Sequence, residues 1–245
     1  WAERCEFAFK RDAELCEYYN KEMSGGKWDG MMIQKHISYT SWNDNFRADV
    51  QPPVSRVEVG DKPGGYLFKE KNGVVAMEAE HFYSQTNPTA GSAEWTTIPY
   101  MGRTLSGVAL MPYSQPTDGA SLTYKFTVDS DVDNLTAIIV VKSTLAFKRL
   151  EGHRYMVSLD GSDEVEVVFN ERLNEDERNI YSVFYPTVAS RIKEDRVSFG
   201  RISKGEHTLT LRPIEPGTVF EKVVIDCGGF IRSFLYMPES PYVRE

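Results

Sequence analysis

From Asp61 to the C-terminus the chain is a succession of short β-branched and aromatic runs cut by Gly, Pro, Asn and Asp clusters. That texture is the signature of antiparallel β-structure, because such side chains fit a pleated surface and the intervening residues supply turns. Strands are predicted at 74–79, 105–110, 120–128, 134–142, 154–159, 164–169, 196–201, 206–213, 219–225 and 229–236. So many short strands do not fit one open sheet and predict a two-sheet jelly-roll β-sandwich. Asp160-Gly161 and Pro216-Gly217 each read as the turn of a hairpin, since Gly accepts the positive φ that tight turns require. The charged interval 170–182, NERLNEDERNIYS, reads as a solvated loop or a short helix. No internal repeat and no low-complexity tract is visible.

The N-terminal part has another periodicity. Trp1, Cys5, Ala8, Phe9, Leu15, Cys16, Tyr19 and Met23 recur at three- and four-residue spacings with charges between them, which predicts one amphipathic helix over 1–23. Cys5 and Cys16 are expected in its buried stripe, and Ser24-Gly25-Gly26 ends it. A connector over 24–60 follows, beginning GGKWDGMMIQKHISYTSW, and Pro52-Pro53 and Asp61-Lys62-Pro63-Gly64-Gly65 mark its junction with the sandwich at 61–245. The connector is too rich in Trp and Met for an exposed loop, because burying each such side chain is worth roughly 1.5–3 kcal/mol. Trp28, Met31 and Met32 are therefore expected to pack. A chain that starts inside a helical pattern reads as a fragment, with helical partners expected upstream.

Composition narrows the function classes. A net charge of −8 argues against a phosphate-backbone partner. No apolar run approaches the roughly 20 residues that span a bilayer, and no signal peptide is present. Three cysteines, at 5, 16 and 227, make no disulfide framework and have no zinc-site spacing. There is no Gly-x-Ser-x-Gly elbow and no phosphate-cradling glycine loop. Asn134-Leu135-Thr136 is a chance-level acceptor tripeptide on a predicted strand.

Two groups of residues could carry chemistry. In the strand VVAMEAEHF, period-two alternation puts Glu78 and Glu80 on one face, where they could share a hard cation with Asp226 of VVIDCGG or simply face solvent beside inward Met77 and Ala79. The same acids lack the surrounding cleft that a glycosidase pair requires. Gln34, His36, Tyr39 and Trp42 combine polar tips with aromatic faces, a mixture that serves either a sugar site or a seam between helix and sandwich. His81, His153 and His207 read as structural.

The segments DAELCEYYN, GGKWDGMMIQKHISYTSW, VVAMEAEHF, MGRTLSGVALMP after Trp95, and PGTVFEKVVIDCGG with Pro-Glu-Ser at 238–240 resemble, in collinear order, the C-terminal part of glycoside hydrolase family 115. Across 170–195 the chain departs from the family pattern, with no Trp near Ile180-Tyr181. The family's enzymes are xylan α-1,2-glucuronidases. The resemblance implies a secreted or periplasmic multidomain enzyme whose catalytic barrel and helical bundle precede this part. It also implies plant xylan or glucuronoxylan as substrate. The sandwich is similar to carbohydrate-binding modules of families 6 and 35, whose Glu-x-Glu first strand helps hold a structural calcium; by that likeness Glu78, Glu80 and Asp226 are its ligands. Gln34, His36, Tyr39, Trp42 and Arg103 are the residues expected near substrate, and no catalytic residue is expected in this chain. A free-standing binding module and a docking or homodimerisation domain are the alternatives.

Overall fold

The computed structural model describes residues 2–39, 48–54 and 64–245. The chain divides into two compact units, Trp1–Lys62 and Pro63–Glu245.

In the first unit, helix α1 spans Ala2–Lys21. Ser24, Gly25 and Gly26 close it with successive left-handed φ values of 54°, 65° and 79°. The connector then folds back. The buried Asn20 side chain donates to the Met32 carbonyl and accepts from the Met32 N–H, each at 2.9 Å, as a strand-like amide clamp. The expected burial of this unit is only partly met. Cys5 is exposed and Cys16 half-buried, Trp28 is half-buried, and Met31 and Met32 are exposed along with Phe7, Leu15, Tyr18 and Ile33. The physical reason is geometric, because one connector cannot cover the whole apolar stripe of a 20-residue helix.

The second unit is mostly β, a jelly-roll sandwich. One sheet runs β13 (Tyr242–Arg244), β1 (Tyr66–Lys69), β6 (Ser121–Val128), β11 (Gly205–Pro213), β8 (Arg154–Leu159) and β9 (Val165–Val168), with β3 (Ser84–Thr86) also on β6. The other runs β10 (Ile192–Ile202), β7 (Val132–Lys142), β12 (Phe220–Asp226), β5 (Gly107–Met111) and β4 (Glu94–Ile98), with β2 (Val74–Glu78) also on β12. Among the described strand pairs only β1 with β6 is parallel. Phe68, Met77, Tyr124, Phe126, Tyr155, Leu211, Phe220 and Ile225 fill the space between the sheets. Its two fully buried phenols are satisfied: Tyr124 donates to the Ala79 carbonyl and Tyr155 to Asp195, both at 2.9 Å.

The short strands β1, β3, β4 and β13 lie outside the predicted set, being too brief or too polar to stand out as runs. The Asp160-Gly161 turn joins β8 to β9 as expected, with φ of 51° and 71°. Pro216-Gly217 does not make a hairpin, because β11 and β12 belong to different sheets and the turn carries the chain across the sandwich. Gly217 is needed there: at φ 103° a Cβ would lie 2.5 Å from the Phe147 ring.

The predicted strand at 229–236 is also absent. At the end of β12, Asp226 Oδ1 accepts the N–H groups of Gly228 (2.8 Å) and Phe230 (3.1 Å), and Gly229 presses so close to Asn72 that a Cβ would sit 2.0 Å from its carbonyl oxygen. The chain is thereby turned off the sheet. Residues 228–240 cross the outer face of the second sheet as a strap over Val74, Ala76, Ile138, Val140, Ile192 and Val224, to which Tyr236 adds its ring. All five residues of β2 are consequently buried, on both faces.

Lys222 holds the strap. Its ammonium donates to the carbonyls of Leu235 (3.2 Å) and Met237 (2.8 Å) and lies 2.9 Å from Glu78 Oε1. The side chains of Lys222 and Glu78 are 1% and 3% exposed. Lys222 reaches the outer face through a bulge in β12: Phe220 pairs with Val141 while Lys222 pairs with Val140, leaving Glu221 as the extra residue. Replacing Lys222 with Met leaves a buried carboxylate without its cation and two carbonyls without this donor, so urea unfolding of Lys222→Met is expected to show a loss of about 3–5 kcal/mol. A loss under about 1 kcal/mol would show that the strap is held elsewhere.

Candidate functional site

Beside the strap lies an open cleft of about 590 Å³. Its walls come from Arg103 before β5, from Arg172 and the stretch 182–190, from Lys193 and Glu194 at the start of β10, and from Arg232, Ser233, Phe234 and Tyr236 of the strap. The interval read from sequence as loop or short helix is a series of turns that leads into one π-helical turn, Ile180–Phe184, and continues as helix α2, Tyr185–Ser190. Pro186 sits in the first turn, where its missing N–H costs nothing. Arg191, at φ 60°, ends the helix and lets Ile192 enter β10. This left-handed junction leaves the Ser190 carbonyl free to face the cleft.

Arg103 joins the two walls. Its guanidinium donates to the Ser190 carbonyl and lies 4.0 Å over the ring of Phe234, whose side is 71% exposed. Glu194 anchors the strap from the other side, accepting from Tyr236 Oη at 2.7 Å, Arg232 Nη2 at 2.9 Å and Arg196 Nε at 2.7 Å. Burial pushes the Glu194 carboxyl up, but the Tyr236 and Arg196 hydrogen bonds and the charges of Arg232 and Arg196 outweigh it and hold the carboxyl below its ordinary value. Lys193 is matched by Asp195 at 2.5 Å, and Arg172 donates to the Asn179 amide oxygen at 3.2 Å.

The lining therefore contains four cations, Arg103, Arg172, Lys193 and Arg232, and one carboxylate, Glu194. Among the described residues neither Arg103 nor Arg172 has a carboxylate within ion-pair distance. On a chain of net charge −8 this is a local reversal of sign. Guanidinium forks match carboxylates two bonds at a time, and the exposed Phe234 ring offers an apolar platform next to them. The arrangement suits an anionic ligand with an apolar face.

Of the residues singled out from sequence, Arg103 is in this cleft. Glu78, Glu80 and Asp226 are not brought together. Strand register pairs Glu78 with Lys222 and Asp226 with Val74, at opposite ends of β2, and Glu80 lies in the turn beyond that strand. Glu78 already has a cation in Lys222 and accepts from Thr104 Oγ1 at 2.5 Å, and Asp226 is spent on backbone N–H groups. These three residues do not fit a calcium ion. The expectation that Glu78 faces solvent is corrected too, because the strap covers its face. Gln34, His36 and Tyr39 belong to the first unit. Gln34 and Tyr39 are exposed, and the His36 ring is held between Asp12 and Asp49. Trp42 lies outside the described residues.

The other histidines are structural. His81 meets Glu239 at 2.7 Å, His207 bridges Asp160 and the Ser203 carbonyl, and His153 Nε2 accepts from the Lys148 N–H. The buried Glu221, 3.3 Å from Lys142, is closed to solvent like Glu78, so neither reaches a substrate bond. Arg172, Lys193, Arg232 and Phe234 escaped sequence reading. For Arg232 and Phe234 the sequence signal was a cation beside aromatics in FIRSFLY, within a run assigned to a strand; Arg172 and Lys193 sit in ordinary charged stretches.

The depressed Glu194 carboxyl gives a pH signature. Its stabilisation is fully present above the unfolded carboxylate value of about 4.3 and is lost as pH falls through the lower folded value. Melting curves of Glu194→Gln and the unmodified chain are therefore expected to differ at pH 7 and to converge in acid. A difference that persists unchanged at pH 2 would assign the loss to packing instead.

A sequence profile described as "Glycosyl hydrolase family 115 C-terminal domain" matches residues 67–239. Among solved structures, a family 115 4-O-methyl-α-glucuronidase with specificity for decorated arabinogalactans aligns over 91% of this chain and 25% of its own length, at 15% identity and TM-score 0.42. The C-terminal family 6 carbohydrate-binding module of a marine laminarinase from Zobellia galactanivorans aligns over 62% of this chain and 98% of its own, at 15% identity and TM-score 0.38. A family 35 module from Clostridium thermocellum aligns over 62% and 97%, at 15% identity and TM-score 0.40. The chain thus spans about a quarter of the glucuronidase it matches. No curated protein sequence matches it significantly. No described helix is long and apolar enough to cross a membrane.

Proposed function

The chain belongs to glycosyl hydrolase family 115 through the C-terminal domain at 67–239, and from that premise we propose that it serves as a non-catalytic, glycan-contacting part of a secreted or periplasmic xylan α-1,2-glucuronidase. The observation that carries this reading is the cationic cleft. Arg103 and Arg172, each hydrogen-bonded to a neutral oxygen, line the same cleft as the exposed Phe234, which suits a uronic-acid-bearing glycan: the carboxylate meets the guanidinium forks and the sugar's apolar face meets the ring. Closure of Glu78 and Glu221 to solvent supports a binding role rather than hydrolysis by this chain.

Isothermal titration of the chain with glucuronic-acid-substituted xylooligosaccharides is the test. Heat of binding is expected for these and not for unsubstituted xylooligosaccharides. Arg172→Gln should weaken affinity about tenfold, or about 1.4 kcal/mol, as expected for loss of one charge-assisted contact. Flat titrations at millimolar ligand would overturn the glycan reading. Incubation with glucuronoxylan is expected to release no uronic acid, and release from a clean preparation would overturn the non-catalytic assignment.

A second reading, interdomain support or homodimerisation, draws on the first unit, which exposes Phe7, Leu15, Tyr18, Met31 and Ile33. Apolar side chains concentrated on one small unit suit a surface that packs against further protein. The partners in that reading are the barrel and bundle of the parent enzyme, or a second copy.

A further inference from the structure

We propose that Asp12, Cys16 and His36 form a binding site for a transition-metal dication, with zinc the occupant that the ligand chemistry favours. Asp12 and Cys16 stand one turn apart on α1 and so share a face of the helix. His36 is delivered to that face by the connector, which the Asn20 clamp on Met32 holds against the helix. One ligand atom of each residue, a carboxylate oxygen, the Sγ and an imidazole nitrogen, lies within 4.8 Å of the others. His36 Nε2 is already 2.7 Å from Asp12 Oδ2. A tetrahedral zinc ion needs nitrogen, oxygen and sulfur ligands roughly 3.3–3.6 Å apart, which modest side-chain rotations supply.

The second nitrogen of His36 gives independent support. A metal-bound imidazole is normally oriented by a carbonyl or carboxylate on its other nitrogen. Here Nδ1 lies 3.2 Å from the Gln34 carbonyl and 3.3 Å from Asp49 Oδ2. Asp49 is itself fixed, because its Oδ1 accepts the backbone N–H groups of His36 at 2.9 Å and Ile37 at 2.7 Å. The ring is thus aimed, with Nε2 toward the helix. Thiolate, imidazole and carboxylate together select zinc or cobalt over calcium or magnesium, which prefer all-oxygen shells. Three protein ligands leave the fourth position to water.

This site is independent of the glycan reading, since it lies in the first unit. The test uses the whole chain, stripped with chelator and kept reduced, then titrated with Co²⁺. Binding of one equivalent is expected, with the near-ultraviolet charge-transfer band of a cobalt–thiolate bond, abolished by added Zn²⁺. Cys16→Ser should lose the band, and Cys5→Ser and Cys227→Ser should keep it. Asp49→Asn should weaken zinc binding about 10–100-fold while the cobalt band remains. Alkylation mapped by mass spectrometry gives a measure that needs no variant: Zn²⁺ should protect Cys16 in the unmodified chain. Absence of the band, its survival in Cys16→Ser, or equal alkylation of Cys16 with and without Zn²⁺ would overturn the proposal.

Discussion

A buried ammonium organises the second unit. Lys222 and Glu78 are both withdrawn from water, and a pair so placed gains little over a well-packed apolar one, since desolvation takes back most of the Coulomb attraction. What the pair provides is position. Lys222 has three protons to donate, and it gives two to the strap carbonyls of Leu235 and Met237 while Glu78 neutralises it. A hydrocarbon side chain could cover the same sheet face but could not choose which carbonyls lie over it. Arg232, Ser233 and Phe234 stand a few residues upstream of that anchor, so the wall of the cleft is set by it.

The cleft itself is built mainly from connections, completed by the first residues of β10. Arg103 precedes β5, α2 bridges from β9 toward β10, and the strap follows β12. Each is tied to the next by a polar contact: Arg103 to the Ser190 carbonyl, Glu194 to Tyr236 and Arg232. Loops carry ligand contacts while the sandwich fixes their ends, which is the usual division of labour on a rigid β-scaffold.

How much of this was readable from sequence follows from the range of the forces involved. The strands β6, β7, β8, β11 and β12 were legible because alternation is local, and α1 with its glycine stop was legible for the same reason. The run at 229–236 was misread because its composition suits a strand; what turns it aside is the close approach of Gly229 to Asn72, more than 150 residues away in sequence. Glu78 was read as a cation ligand or a solvent-facing residue, and its burial was missed, because alternation reports which face a residue takes and not whether a later segment covers that face. Arg103 was named through family resemblance, whereas Arg172, Lys193 and Arg232 converge only in three dimensions. His36 stood out as an oddly placed polar tip, but its partners Asp12 and Asp49 lie 24 and 13 residues away.

The bulge in β12 has a consequence for parity. Phe220 and Lys222 are two residues apart and in a regular strand would point the same way. The extra residue, Glu221, sends the phenyl ring into the sandwich and the ammonium out beneath the strap. Core and strap are thus phased by one inserted residue. A chain lacking it would have to place a charge between the sheets or an aromatic ring where the strap requires a donor, so the length of β12, as much as its composition, is under constraint.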